Sequence, residues 1–440
     1  MVSKIYEHPW ETFRKPANPY GKGSSILHML RVRLGDDLFF KGLRDFVQAN
    51  KFKTVETVDL RNSFERVSGQ SLEQFFTQWC YRPGVPELTV NADWNKEKKA
   101  LELTITQDQP IDGANPAFEL SLPVVVRMGT TEIRREMAVN GKSANATIAC
   151  DQEPRCVIVD PDMAVLGKIK VVQPADRFRA QLAEGPTEAS QCAAIRGLAT
   201  GSSGESKEML RRLADDRTRS SWLRVEAIRR LATMGALDDI RSLSTSAVDR
   251  WEVREALVSA LESTLRDASG KLRAGSDGGI RLLRDRAERD RSLKVRCAAI
   301  RALGSVKCAD AASLFTNALE QESQSDALRQ AGIDALASLD DGAYLEAVLA
   351  CTQDGFDCRT RPMAMAAAAK LSHHSPDAVF DVLAKLLKDR ELRAARGAGD
   401  ALVQMKHPKA AEAIKEALGG ESAEELVWQR EQWLKALATK

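Results

Sequence analysis

Five histidines, His8, His28, His373, His374 and His407, are the residues with which this chain could hold a catalytic metal. Zinc hydrolases that bind their metal on one helix use His-Glu-x-x-His, because positions i and i+4 share a face and the intervening Glu serves as general base. No pair here has that spacing. His8 is followed by Pro9, His28 has Val32 four positions on, and His373-His374 run into Ser375-Pro376. No metal ligand set is therefore expected. His28 falls on the apolar-rich face of a helix and is expected to pack in the core. The eight cysteines include no Cys-x-x-Cys pair, and those in helices read as small buried apolar residues. Cys150 and Cys156 flank a short loop and could bridge in an oxidising compartment. Tyr20 precedes Gly21-Lys22-Gly23, which taken alone is a turn with an aromatic packed beside it. Lys22 is expected to pair with an acidic neighbour.

The elements around these residues change period along the chain. Up to residue 86 the apolar spacing is helical. Ile26, Leu27, Leu30 and Leu34 make a helix from Gly23, closed by Gly35-Asp36. Leu38, Phe39, Leu43, Phe46 and Val47 make a second from Asp37. Thr57 or Asp59 caps a third through Phe64, and Ser71 with Gln74 forms the capping box of a fourth that ends at Pro83-Gly84. From Glu87 the period becomes two: Leu88, Val90 and Ala92, then Leu101, Leu103 and Ile105, then Leu120, Leu122, Val124 and Val126. Ile133, Met137 to Val139, Ile148 and Val157 to Val159 supply further strands of a small antiparallel β-sandwich that ends at Asp160-Pro161-Asp162.

Beyond Pro174 the chain repeats itself. The segments ending in Leu231, Leu303 and Leu336 are versions of one Arg-, Ala- and Leu-rich pattern. Steps from Leu198 to Leu231, Leu303 to Leu336, Leu336 to Leu371 and Leu371 to Leu402 span 33, 33, 35 and 31 residues. This spacing predicts helix pairs stacked into an α-α solenoid. The longer interval from Leu261 to Leu303 holds an inserted loop around Ser269-Gly270 and Gly275 to Gly279, and Glu421 to Lys440, with Trp428 and Trp433, reads as a closing helix. The fold class is mixed and mainly α, with segments 1–86 (helical), 87–173 (sandwich) and 174–440 (repeats). The first 172 residues and the segment from about 175 onward are expected to fold independently. Hydrophobic residues make up 43%, and 64 basic side chains nearly cancel 62 acidic ones, giving a net charge of +2. Bulk electrostatics thus offers no nucleic acid or membrane partner.

Tyr20-Gly21-Lys22-Gly23-Ser24-Ser25-Ile26-Leu27-His28-Met29-Leu30-Arg31 with Leu34-Gly35-Asp36 resembles the gluzincin zinc aminopeptidases of the alanyl and puromycin-sensitive type. The likeness continues in collinear order through Thr57-Val58-Asp59, Ser68-Gly69, Phe75-Phe76-Thr77-Gln78-Trp79 and Gly84-Val85-Pro86. It is weaker through Thr106-Gln107-Asp108-Gln109 and Val159-Asp160-Pro161, and covers residues 6 to 172 in all. The resemblance implies that Tyr20 is the catalytic tyrosine, whose phenol donates a hydrogen bond to the oxyanion of the tetrahedral intermediate. It also implies zinc as the cofactor of full-length members. The family's His-Glu-x-x-His and Gly-x-Met-Glu-Asn motifs, which precede the Tyr-x-Lys-Gly segment, are both missing here, so no zinc is expected in this chain and its start is expected to lie inside the catalytic domain.

The resulting expectation is a C-terminal portion of a zinc aminopeptidase, inactive alone, with peptide as substrate once the upstream half is supplied. The alternative is a non-catalytic helical-repeat scaffold that binds a protein or peptide; similar short repeats also occur in phycobilin lyases. As written, the chain shows no export signal and reads as cytoplasmic, and which residues bind substrate is not legible.

Overall fold

The computed structural model describes residues 19–113, 115–198, 204–245, 249–267, 271–273, 275–418 and 424–438. Packing divides the chain into two compact units, Met1–Ser206 and Lys207–Lys440.

The first unit opens with four helices, α1 (Pro19–Leu34), α2 (Asp36–Asn50), α3 (Thr57–Ser68) and α4 (Glu73–Phe76). Helix α1 starts four residues before the expected Gly23, so the Tyr20-Gly21-Lys22-Gly23 segment is not a turn before the helix but its first residues. Of the two capping candidates for α3, Asp59 acts, its Oδ2 accepting from Glu56 N at 2.9 Å. The expected Ser71–Gln74 box does not form. Glu65 instead accepts from Leu72 N at 2.7 Å, and Gln74 turns to Glu119 at 3.2 Å. Helix α4 widens into a π-turn over Thr77–Tyr81. There the buried Gln78 amide both donates to Glu119 O and accepts from Glu119 N at 2.8 Å, pairing with the chain entering a strand as a neighbouring strand would. Gly42 in α2 lies so near Phe64 of α3 that a Cβ would sit 2.4 Å from its ring.

Seven strands follow: β1 (Glu87–Asn95), β2 (Ala100–Gln107), β3 (Leu120–Met128), β4 (Thr131–Val139), β5 (Ser143–Ala149), β6 (Cys156–Val159) and β7 (Lys168–Val172). They form two sheets, ordered β5-β2-β1-β7 and β4-β3-β6. All pairings are antiparallel except β1 with β7, which run parallel with Leu88 opposite Ile169. Strand β7 lies beyond the strands expected, because an edge strand with only Ile169 and Val171 turned inward has too little alternation to stand out in the sequence. Alternate residues Val90, Leu103, Ile105, Leu122 and Val126 are buried and join Leu30, Phe64, Phe76 and Trp79 of the helices in one continuous core. The sandwich is thus the floor on which the tyrosine-bearing helix rests. Cys150, just past the end of β5, and Cys156, in β6 of the other sheet, are buried free thiols, so the bridge conceived from their spacing is not made.

Two further helices, α5 (Ala175–Glu184) and α6 (Glu188–Leu198), pack within the same unit. Buried Arg177 donates to Ala92 O at 2.8 Å, Thr187 Oγ1 to Pro161 O at 2.5 Å, and Arg155 pairs with Glu184 at 2.6 Å.

The second unit is an α-α array. Its helices include α7 (Gly204–Asp215), α8 (Ser221–Thr233), α9 (Leu237–Ser244), α10 (Trp251–Leu265), α11 (Asp277–Arg289), α12 (Leu293–Ser305), α13 (Ala312–Glu320) and α14 (Ala327–Leu339). It continues with α15 (Leu345–Ala350), α16 (Thr360–Leu371), α17 (Pro376–Leu386), α18 (Leu392–Met405), α19 (Ala410–Leu418) and α20 (Glu424–Ala438). The marker leucines Leu231, Leu303, Leu336, Leu371 and Leu402 are wholly buried. Small residues let neighbouring helices touch: a Cβ on Gly304 would stand 2.5 Å from the Ala335 backbone. The inserted interval holds an antiparallel bridge between Arg266 and Leu272; Ser269 and Gly270 lie outside the described residues. Helix α20 closes the array with Trp433, whose indole sits against Gly399 and donates to Asp400 at 2.7 Å.

An arginine recurs near the start of the inner helices, buried at Arg224 and Arg361 and half-buried at Arg296 and Arg329. Arg224, Arg296, Arg329 and Arg361 donate to carbonyls of the preceding helix or its end, at Ala214, Ala287, Leu319 and Thr352 respectively, over 2.6 to 3.1 Å. Arg224 also forks onto Asp249, and Arg254 onto Asp290 with two bonds of 2.8 Å. No helix among the described residues is long and apolar enough to cross a membrane.

Candidate functional site around Tyr20

Tyr20 stands in the first turn of α1 with 72% of its surface exposed. What fixes the turn is Lys22. Its Nζ donates to Arg82 O at 3.1 Å and Gly84 O at 2.9 Å, tying the start of α1 to the end of the π-turn and the entry to β1. The acidic partner expected for Lys22 is replaced by these carbonyls, and burial holds its pKa below the ordinary lysine value. Arg82 stacks over Phe118, which itself stacks on Trp79 with ring centres 5.3 Å apart. The clamp therefore rests on the sandwich through consecutive packed groups.

His28, expected in the core, is exposed instead, and its Nε2 donates to Asp162 O at 2.9 Å. The helix face that the periodicity marked as apolar borders the loop after β6, which offers a carbonyl. Asp160 organises that loop: its carboxylate accepts from Ala164 N at 2.6 Å and Val165 N at 3.2 Å. Burial nevertheless outweighs these two donors and pushes its pKa up to about 6. Next to it lies a cleft of about 670 Å³ lined by Met29, Arg33, Gln74, Trp79, Glu119 and Asp162 among others, and Tyr20 is not among its lining residues.

The donor set for a catalytic zinc does not fit here. His28 is the one histidine among the described residues of the first unit, and it is engaged by a backbone carbonyl. Among the described residues, one group gathers three side chains able to ligate a metal, Asp340, His373 and His374, and it belongs to the second unit. Sequence spacing missed it because Asp340 is more than 30 residues from the histidines. The repeat register was the available signal: Asp340 stands four residues after marker Leu336, and His373 and His374 stand two and three residues after marker Leu371.

Comparison with known proteins now bears on this geometry. The peptidase family M1 domain matches residues 4–79, and HEAT repeats match residues 280–368. Probable aminopeptidase 1 of Saccharolobus solfataricus is 30% identical over 121 residues, 27% of this chain and 15% of that protein. Aminopeptidase N of Lactococcus lactis is 37% identical over 81 residues, 18% of this chain and 10% of that protein. The matches therefore span only 10% to 15% of the length of these relatives. The fold is similar to that of Legionella pneumophila aminopeptidase A, solved in complex with aspartic acid, with a TM-score of 0.63, 14% identity, and coverage of 95% of this chain and 57% of that one. Zinc is the metal that the M1 family implies. A peptidase-related chain, it carries part of a gluzincin, M1-family aminopeptidase domain joined to HEAT repeats.

Proposed function

We propose that this chain is the C-terminal portion of a zinc metallo-aminopeptidase, that it supplies Tyr20 and the α1 wall to the removal of N-terminal residues from peptides, and that it is inactive by itself. The observation that carries this reading is the collinear M1 match over residues 4–79 together with the Lys22 clamp, which holds an exposed phenol in a fixed turn. A rigid neutral donor suits charge that develops on a carbonyl oxygen in the transition state. Inactivity follows from the donor set, which offers no His-Glu-x-x-His for the metal.

The test supplies an upstream half carrying the zinc motif, as a fusion or as a second chain, and follows hydrolysis of aminoacyl anilides. Activity is expected only in the joined assembly. Tyr20→Phe should then lower turnover on the order of 100-fold to 1000-fold while leaving KM nearly unchanged. Near-normal turnover in the Phe variant would remove Tyr20 from the chemistry, and hydrolysis by the unaided chain would remove the claim of inactivity.

A second reading, a repeat scaffold that binds a protein or peptide, is favoured by a groove of about 1080 Å³ between α8 and α10. Exposed Trp222 and the carboxylates Glu226, Glu252 and Glu255 line it.

A further inference from the structure

We propose that Asp340, His373 and His374 form a binding site for one divalent transition-metal ion of the zinc class, built between two consecutive helical repeats. The inference is independent of the peptidase reading, because the three residues lie outside the M1-matched segment 4–79.

The ends of two inner helices make the site. Asp340 ends α14 in the left-handed conformation, with φ 60° and ψ 47°. One repeat later, α16 runs into a 3-10 turn, Ser372–His374, that carries both imidazoles. Their ring centres are 4.1 Å apart, and both Nε2 atoms turn to the same carboxylate oxygen: His373 Nε2 is 3.1 Å and His374 Nε2 3.7 Å from Asp340 Oδ1. All three ligating atoms lie within 4.8 Å of one another. In a tetrahedral shell with bonds of about 2.0–2.1 Å, neighbouring ligand atoms are roughly 3.3 Å apart. The two measured separations bracket that edge.

The hydrogen bonding around His373 points the same way. Its Nδ1 lies 3.1 Å from Lys370 O, and a carbonyl can only accept, so Nδ1 carries the proton. In the neutral ring Nε2 then has a lone pair, which faces a carboxylate oxygen. Two acceptors at 3.1 Å call for a proton or a metal ion between them. Orientation of a ligand imidazole by a backbone carbonyl on its other nitrogen is the arrangement metal sites use. His374 is seated by Gly342, where a Cβ would stand 3.0 Å from the His374 Cβ and Cγ. His374 Nε2 also lies 3.3 Å from Asp340 O, and to take an ion it would give up this contact and bind as the other neutral tautomer, with the ring proton on Nδ1. Two imidazoles and one carboxylate match zinc, cobalt or nickel better than calcium or magnesium, which prefer all-oxygen shells. All three residues are partly exposed, so solvent completes the shell.

The full chain, stripped with chelator and kept reduced, is titrated with zinc alone by calorimetry, and with cobalt while the absorption spectrum is followed. One ion per chain is expected. Asp340→Asn should weaken zinc at least 10-fold, and His373→Gln with His374→Gln should abolish the binding, with circular dichroism unchanged in each. Cobalt should show ligand-field bands without the intense ultraviolet band of a thiolate ligand. Absence of zinc binding by the unaltered chain would overturn the site and leave a protonated His373 paired with Asp340. Binding that persists in the double variant, or a thiolate band that places the ion on cysteine, would overturn it equally. None of these results depends on peptide hydrolysis, so failure here and failure of the Tyr20 assignment are separately visible.

Discussion

In the first unit Phe64, Trp79, Leu103 and Val126 meet in one apolar core, and its most perturbed carboxylate, Asp160, has its charge opposed by burial. In the second unit Arg254 and Asp290, exposed by 2% and 1%, face each other between helices, and leucines fill what remains. Burial also works against the Asp290 charge, but the bonds from Arg254 and Ser292 N hold its carboxyl below the usual range. The same cost of desolvation thus ends with opposite signs. A sandwich can close around apolar side chains, and its polar backbone is satisfied by the strand ladders. A stack of short helices leaves carbonyls at each helix end, and a buried guanidinium collects them while reaching the next repeat.

The largest effect that would break this comparison is expected at Asp290. Asp290→Ala leaves Arg254 buried without its fork and should destabilise the second unit by about 3–5 kcal/mol, read by denaturant unfolding. Replacing both members, Arg254→Met with Asp290→Leu, should cost clearly less than the single change, because Arg254 is then no longer a buried charge without its fork, and only Arg286, 3.6 Å from Asp290 and also donating to Ser244 O, loses a partner. If the double variant is as damaged as the single one, the pair acts through shape and not through charge.

Asp160 gives a smaller effect of opposite pH sense. Its folded pKa of about 6 lies above the ordinary carboxyl value of 3.8, so the folded state takes up a proton that the unfolded chain does not. Stability should therefore rise as pH falls from about 6 towards 4, and be lost as pH rises through that window, by about 1–2 kcal/mol. For Asp290, with its folded pKa depressed, stability is present above the unfolded carboxyl pKa and is lost on acidification. Asp160→Asn should remove the first dependence, so the stability of the natural chain relative to this variant should grow between pH 7 and pH 4. A flat difference across that range would show that the loop carboxyl is not shielded from water.

The smallest expected effect is none. Because Cys150 and Cys156 are separate buried thiols, adding reductant should leave Tm unchanged. A reductant-dependent drop would reveal a bridge between the two sheets.

How far these features could be read beforehand varies with their range. The alternation of Leu101, Leu103 and Ile105, and of Leu120 to Val126, named the buried face of β2 and β3 correctly, since side chains alternate across any strand. The marker leucines did the same for the repeats. The recurring arginines were visible in the repeat segments, but nothing local distinguished Arg254, buried on Asp290, from a solvated one. At the candidate site, the Tyr20-Gly21-Lys22-Gly23 motif was legible, whereas the role of Lys22 was not: its partners are carbonyls about 60 residues away, and a carbonyl has no sequence signature.

The sequence by itself determined the order of a helical segment, a sandwich and a repeat array, the likeness to M1 aminopeptidases, and the absence of a His-Glu-x-x-His motif, because backbone periods and short motifs are local properties. The tertiary structure decided that the helices at 175–198 pack within the first unit, that His28 meets a loop carbonyl, and that Asp340 meets His373 and His374. Those outcomes depend on how elements far apart in the chain are stacked, and the period of a helix or strand records which face is buried without recording what it is buried against.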